Sequence, residues 1–180
     1  MEVISTIDAV NVHLMGSFMY ERIRDGGKLM ICGCGGSAAD SQHFAAELVG
    51  RYDGHRQALP AIALTADSAI VTALGNDFGF SEVFARQVRA LGNRKDVLVA
   101  ISTSGASSSV CQAVEAARDM GMAAYGLTGP RTSTNHVANL CDNYIDISSH
   151  VTARIQEAHG LIIHLWCELI DKLWKLHGQG

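Results

Sequence analysis

DVLVAISTSGASSSVCQAVEAA, residues 96–117, decides how the rest of the chain is read. Val97, Leu98, Val99 and Ile101 make an apolar run too continuous for a strand with one wet face, so they predict a strand buried on both sides of a parallel sheet. The run breaks into Ser102, Thr103, Ser104 and Gly105, after which apolar residues return at helical spacing. Strand, loop and helix in that order place hydroxyls and free backbone N–H groups at the positive end of a helix. Such a corner attracts an anion, and a phosphate is the natural guest. A Ser-rich loop can also do no more than cap its helix, but the density of hydroxyls around one glycine favours the anion.

A second corner of this kind lies upstream. Residues 28–32 read as a short apolar strand running into Gly33, Cys34, Gly35, Gly36 and Ser37, a turn that opens a helix over about 38–49. Two such corners in one chain place N–H groups at the carboxyl edge of the same sheet. Before them, Val3, Ile4, Ile7, Val10, Leu14, Phe18 and Ile23 recur at spacings of three and four, predicting an amphipathic helix over 2–25 that Gly26 and Gly27 end. Residues 61–64 read as a strand, 67–74 as a short helix closed by a turn at Gly75, Asn76 and Asp77, and 80–91 as a helix. Beyond the central stretch come a strand over 123–127, a weak helix near 134–140, a strand over 144–147 and one long helix over 152–176. This alternation predicts one α/β domain over residues 1–180, a three-layer sandwich whose five-stranded parallel sheet carries helices on both faces.

Composition narrows the function. The chain is 48% hydrophobic with only two prolines, which argues for a folded core. Its net charge of −4 and its lack of any Lys/Arg run give no footprint for nucleic acid. Glu2, Asp8, Glu21 and Asp25 interrupt the first apolar positions, so no signal peptide is expected; His164, Glu168 and Asp171 likewise break the last apolar segment short of a membrane span. Five cysteines without regular spacing read as reduced thiols of a cytoplasmic protein. Neither glycine turn completes G-x-G-x-x-G, and no Gly-Lys-Ser/Thr triplet occurs, which disfavours a dinucleotide or a P-loop nucleotide.

Two polar groups interrupt apolar helices. His43 and Glu47, four residues apart, share a helix face, where they could bind a divalent metal or move a proton; an ordinary helix-surface hydrogen bond is the alternative. Phe44, Ala45, Ala46 and Leu48 surround them, and a carboxylate in that setting needs a reason. In the last helix Arg154, Gln156, His159 and His164 stand among Ile155, Leu161, Ile162, Ile163 and Trp166. Gln156 and His164 are eight residues apart, roughly 12 Å along a straight helix, so they meet at one small site only by reaching toward each other or by coming from different copies of the chain. An oligomer with an interfacial site is the expectation.

The segments GCGGS (33–37), AADSQHFAAELVGRY (38–52), GNDFGF (75–80), AISTSG (100–105) and ARIQEAHGLIIH (153–164) together resemble the sedoheptulose 7-phosphate isomerases, or phosphoheptose isomerases, of the sugar isomerase (SIS) fold. That resemblance implies a flavodoxin-like parallel sheet and a homotetramer with active sites between subunits. It implies conversion of D-sedoheptulose 7-phosphate to D-glycero-D-manno-heptose 7-phosphate, the first step toward the heptose of lipopolysaccharide and other surface glycans. Carried over, it implies phosphate and sugar contacts at Ser102, Thr103, Ser104 and Ser107, with Cys34, Gly35, Gly36, Ser37, Glu47, Asn76, Asp77 and Gln156 also at the substrate. It further implies a zinc ion held by His43, Glu47, Gln156 and His164, and acid/base roles for Glu47 and His164. Cys34 and Ala106 stand where the family usually has Asn, Ala153 where some members have Asp, and residues 130–139 lack an Asp-Gly-Gly loop. A non-catalytic relative of the same fold, the DnaA initiator-associating protein, is the competing resemblance; Glu47 and His164 favour the enzyme.

Overall fold

The computed structural model describes residue 3 and residues 7–177. Five strands, β1 (Leu29–Gly33), β2 (Ala61–Ala63), β3 (Val97–Ser102), β4 (Ala123–Thr128) and β5 (Asn143–Asp146), form one sheet in the order β2-β1-β3-β4-β5. Every pairing is parallel. The helices are α1 (Ala9–Arg24), α2 (Gly36–Val49), α3 (Ser68–Phe78), α4 (Ala85–Leu91), α5 (Ser108–Asp119), α6 (His136–Leu140) and α7 (Thr152–His177).

The central strands are buried on both faces because alternate residues point to opposite sides. Leu29, Ile31, Val97, Val99 and Ile101 pack with α1, α2 and α7, whereas Met30, Cys32, Leu98 and Ala100 pack with α4, α5 and α6. The expected three layers and five strands are present, and α7 supplies the largest buried side chain, Trp166, whose indole N–H donates to the Val12 carbonyl of α1 at 3.0 Å.

Several expected boundaries are corrected. The first helix begins at Ala9, because the Asp8 carboxylate accepts the N–H groups of Val10 and Asn11 at 3.0 and 3.1 Å and fixes its start there. The expectation for Glu2 and Ile4 lies outside the described residues. α2 starts at Gly36, two residues earlier than expected. No turn occurs at Gly75, Asn76 and Asp77: α3, capped by Asp67, runs through them and stops at Gly79, whose φ of 87° is left-handed. The single helix expected over 80–91 is a 3₁₀ turn at Phe80–Glu82 followed by α4, and the break lets the consecutive Val83, Phe84 and Ala85 all be buried.

Candidate active site

β1 and β3 are neighbours, yet the chain leaves β1 toward β2 on one side and β3 toward β4 on the other. At such a switch point the carboxyl ends of the strands open a crevice that no crossover covers. The glycine turn after β1 and the Ser-rich loop after β3 stand there side by side, since Gly33 pairs with Ile101.

Neither corner is a simple cap. Gly35 precedes α2 at a φ of 61° with no side-chain capping bond. Ser107 precedes α5, but its hydroxyl caps nothing; it lies 3.2 Å from Ser109 Oγ and 3.5 Å from Cys34 Sγ, which is itself 3.4 Å from Ser109 Oγ. The two corners therefore touch through Cys34. Within the loop, Ser102 Oγ accepts the Gly105 N–H at 3.1 Å and Ser104 Oγ accepts the Ala106 N–H at 3.2 Å. Gly105 has a φ of 65°, and a Cβ there would fall 1.8 Å from Asn135 Oδ1. Only glycine admits that approach, by which Asn135, donating to the Gly129 and Pro130 carbonyls, backs the loop.

The second half of the site comes from α2 and α7. The Gln156 amide lies against Gly36, where a Cβ would come within 1.8 Å of Nε2. Farther along both helices His43 meets His164, Nε2 to Nε2, at 3.4 Å with the rings at 89°. His43 Nε2 is also 3.2 Å from Glu47 Oε1. The two contacts advance together, so α2 and α7 run in the same direction, and from Gly36 to His43 the helix rises about 10 Å. Gln156 thus stands at the corner end of the seam between α2 and α7, and the His43, Glu47, His164 trio farther along it.

The trio is braced from behind. Arg56 Nη2 donates to the Glu47 carbonyl at 2.7 Å, Nη1 to the Leu48 carbonyl at 2.8 Å, and Nε to Asp171 Oδ1 of α7 at 2.6 Å. Both charged side chains are buried, at 2% and 3% exposure. This strap holds the C-terminal turn of α2 to α7 and carries Tyr52 to His164, with ring centroids 5.6 Å apart.

Donor spacing bears on a metal. Two ligands 2.0–2.1 Å from a tetrahedral zinc stand about 3.3 Å apart, and the His43–His164 and His43–Glu47 separations of 3.4 and 3.2 Å fit that edge. The two pairs share His43; among the described residues no three His, Cys, Asp or Glu side chains converge to hold an ion. Asn76 and Asp77 behave differently from the other expected site residues. They are exposed on α3 and bonded to each other, Asn76 Nδ2 to Asp77 Oδ1 at 2.7 Å, and α3 packs chiefly on the 3₁₀ turn that follows it.

Sequence reasoning passed over five residues that the structure places at or behind the site. Asp40, one turn before His43, has a buried Oδ2 without a hydrogen-bond partner, and burial pushes its carboxyl up despite the opposing effect of His43. His159 donates from Nε2 to the Thr128 carbonyl at 3.1 Å, and burial drives its pKa down to about 4. Ser109, Tyr52 and Arg56 complete the set. Asp40 and Tyr52 lay inside a motif already singled out, Ser109 inside the opening stretch and His159 among polar residues already noted, so those four carried a signal. Arg56 and Asp171, 115 residues apart, carried none.

Comparison with known proteins places the chain in a family and agrees with the fold. The SIS domain family model matches residues 1–129. The chain is 52% identical over 158 residues to phosphoheptose isomerase 1 of Campylobacter jejuni, covering 88% of this chain and 84% of that one. It is 53% identical over 154 residues to the phosphoheptose isomerase of a Roseiflexus species, covering 84% and 76%. Among solved structures, the phosphoheptose isomerase of Neisseria gonorrhoeae superposes with a TM-score of 0.87 at 42% identity, covering 95% of this chain and 90% of that one. That of Francisella tularensis superposes with a TM-score of 0.89 at 40% identity and the same coverage.

Proposed function

The chain belongs to the phosphoheptose isomerase family of SIS-domain proteins and is a sugar-phosphate isomerase; from that premise we propose that it interconverts D-sedoheptulose 7-phosphate and D-glycero-D-manno-heptose 7-phosphate through an enediol. The observation that carries the residue assignment is the meeting of His43, Glu47 and His164 from two helices, about two turns along α2 from the glycine corner.

The phosphate is held by Ser102, Thr103, Ser104 and Ser107, with Cys34, Gly35, Gly36 and Ser37 on the facing turn and Gln156 above Gly36. Fixing the tail at that corner holds the reacting carbons in register with the trio. Glu47 removes a proton from C1 of the ketose and returns one to C2, while His164 gives a proton to the C2 oxygen and takes one from the C1 oxygen. Atoms balance: the carbonyl moves from C2 to C1 with no net gain or loss. His43, Glu47 and His164 are the donors that would hold a zinc ion, which when bound would polarise a carbonyl and stabilise charge developing on its oxygen; Gln156, about two turns away beside Gly36, would join them only from another copy of the chain. The product would supply heptose for a surface glycan such as lipopolysaccharide, and the free thiols suit a reducing cytoplasm.

Apolar surface supports a homo-oligomer, which we take to be the tetramer. α3 buries none of its residues although it carries Ile70, Val71, Leu74 and Phe78. A groove between α1 and α7 is lined by Val12, Leu161, Leu165 and Leu169, with Leu14 exposed on α1. No helix among the described residues is long and apolar enough to cross a membrane.

The test is an isomerase assay with sedoheptulose 7-phosphate, run beside binding of the same sugar to Glu47→Gln. Turnover by the unaltered protein, with binding retained and turnover lost in the variant, is the expected result. Unaltered rates in Glu47→Gln would remove that residue from the chemistry.

A further inference from the structure

A cavity of about 250 Å³ opens where three loops at the carboxyl edge of the sheet meet. Thr103 and Ser104 reach it from the β3–α5 loop, Pro130 and Thr132 from the β4–α6 segment, and Ser149 and His150 from the turn before α7. Its walls are fixed. Gly129 lies so close to the Thr103 carbonyl that a Cβ would come within 1.9 Å of the oxygen. Ser149 is held by its N–H to the Ile147 carbonyl at 2.8 Å, and its hydroxyl accepts the Val151 N–H at 3.2 Å. His150 is thus gripped on both sides by bonded neighbours.

The charge balance of this cavity points to one residue. A sugar phosphate brings a dianion, yet residues 96–117, which include the whole Ser-rich loop, contain no Lys or Arg. Arg131 turns away to lie over the Tyr144 ring, 5.6 Å from its centroid, and Arg154 pairs with Glu157 at 2.5 Å. Of the side chains lining the cavity, only that of His150 can carry positive charge. Hydroxyls position an oxyanion; an imidazole adds an N–H that donates when neutral and a full charge when protonated.

We propose that His150 is a contact for the phosphate of the substrate, from the cavity that it lines together with Thr103 and Ser104, and that it sets affinity rather than chemistry. The proposal rests on the sugar-phosphate reading above and adds a residue to it. Its test is steady-state kinetics with sedoheptulose 7-phosphate and competition by inorganic phosphate, on the full chain as wild type, His150→Gln, His150→Arg and Ser104→Ala. Loss of one charge-assisted hydrogen bond predicts that His150→Gln raises KM and the inhibition constant of phosphate together, by about tenfold, with kcat within about twofold. His150→Arg should restore both. Wild-type KM and phosphate inhibition in His150→Gln, with Ser104→Ala weakened, would overturn the role of His150 and leave the phosphate corner standing. Should the wild type not turn over this sugar, phosphate titration by calorimetry of wild type against His150→Gln decides the same point, equal affinities refuting it.

Discussion

Acid should weaken this fold in part through one buried side chain, His159. The imidazole is fully buried, bonded through Nε2 to the Thr128 carbonyl, while its Nδ1 and the Thr128 hydroxyl are buried without partners. Desolvation lowers its pKa from 6.5 to about 4, the backbone bond opposing only part of that. Between those values the unfolded chain binds a proton that the folded chain refuses, so stability falls as pH drops from 6.5 toward 4 and levels off below. At about 1.4 kcal/mol per pH unit the full loss is about 3 kcal/mol, most of it present at pH 4.5. His159→Gln keeps a donor for Thr128 and does not titrate. Urea unfolding at pH 7.5 and 4.5, at one protein concentration, should show the wild type losing about 2–3 kcal/mol more than the variant, carboxylates contributing equally to both. Equal losses would refute the reasoning. Because Thr128 pairs with Ser102, activity should decline over the same range before global unfolding.

Three further outcomes follow from particular contacts. Gly36→Ala places a methyl where Gln156 Nε2 now lies, so kcat/KM should fall at least tenfold while the melting temperature stays within a few degrees, alanine being the better helix former. Arg56→Met strands a buried Asp171 and frees the Glu47 and Leu48 carbonyls; chemical denaturation should register a loss of about 3–5 kcal/mol, and a loss under 1 would contradict the strap. Phe78→Glu, on the unburied face of α3, should shift the mass measured by light scattering toward smaller species, and an unchanged mass would leave α3 outside any interface.

Much of this was legible in the sequence wherever a signal was local. The run from Val97 to Ile101 announced a strand buried on both faces, and the breaks at Gly33–Ser37 and Ser102–Gly105 located the crevice, because strand, loop and helix follow one another within a few residues. His43 and Glu47 share a helix face by spacing alone. Propensity misled at Gly75, Asn76 and Asp77: three poor helix formers suggested a turn, but the cap at Asp67 and the left-handed Gly79 set the helix ends instead. Contacts made across long separations had no local trace. Arg56 reaching Asp171, Cys34 reaching Ser107 and Ser109, and His150 sharing a cavity with Ser104 depend on the fold bringing distant segments together.

The all-parallel sheet also orders events during synthesis. β1 cannot find its inner partner until β3 has emerged, since Leu29 pairs with Val97, and such distant pairings make for slow folding. One face of that sheet stays greasy longer still. Ile155, Ile162, Ile163 and Trp166, which cover it, and His164, which joins His43, all arrive on the final helix. A nascent chain therefore carries a sticky, catalytically silent intermediate until its last helix docks, the kind of species that chaperones shield from aggregation.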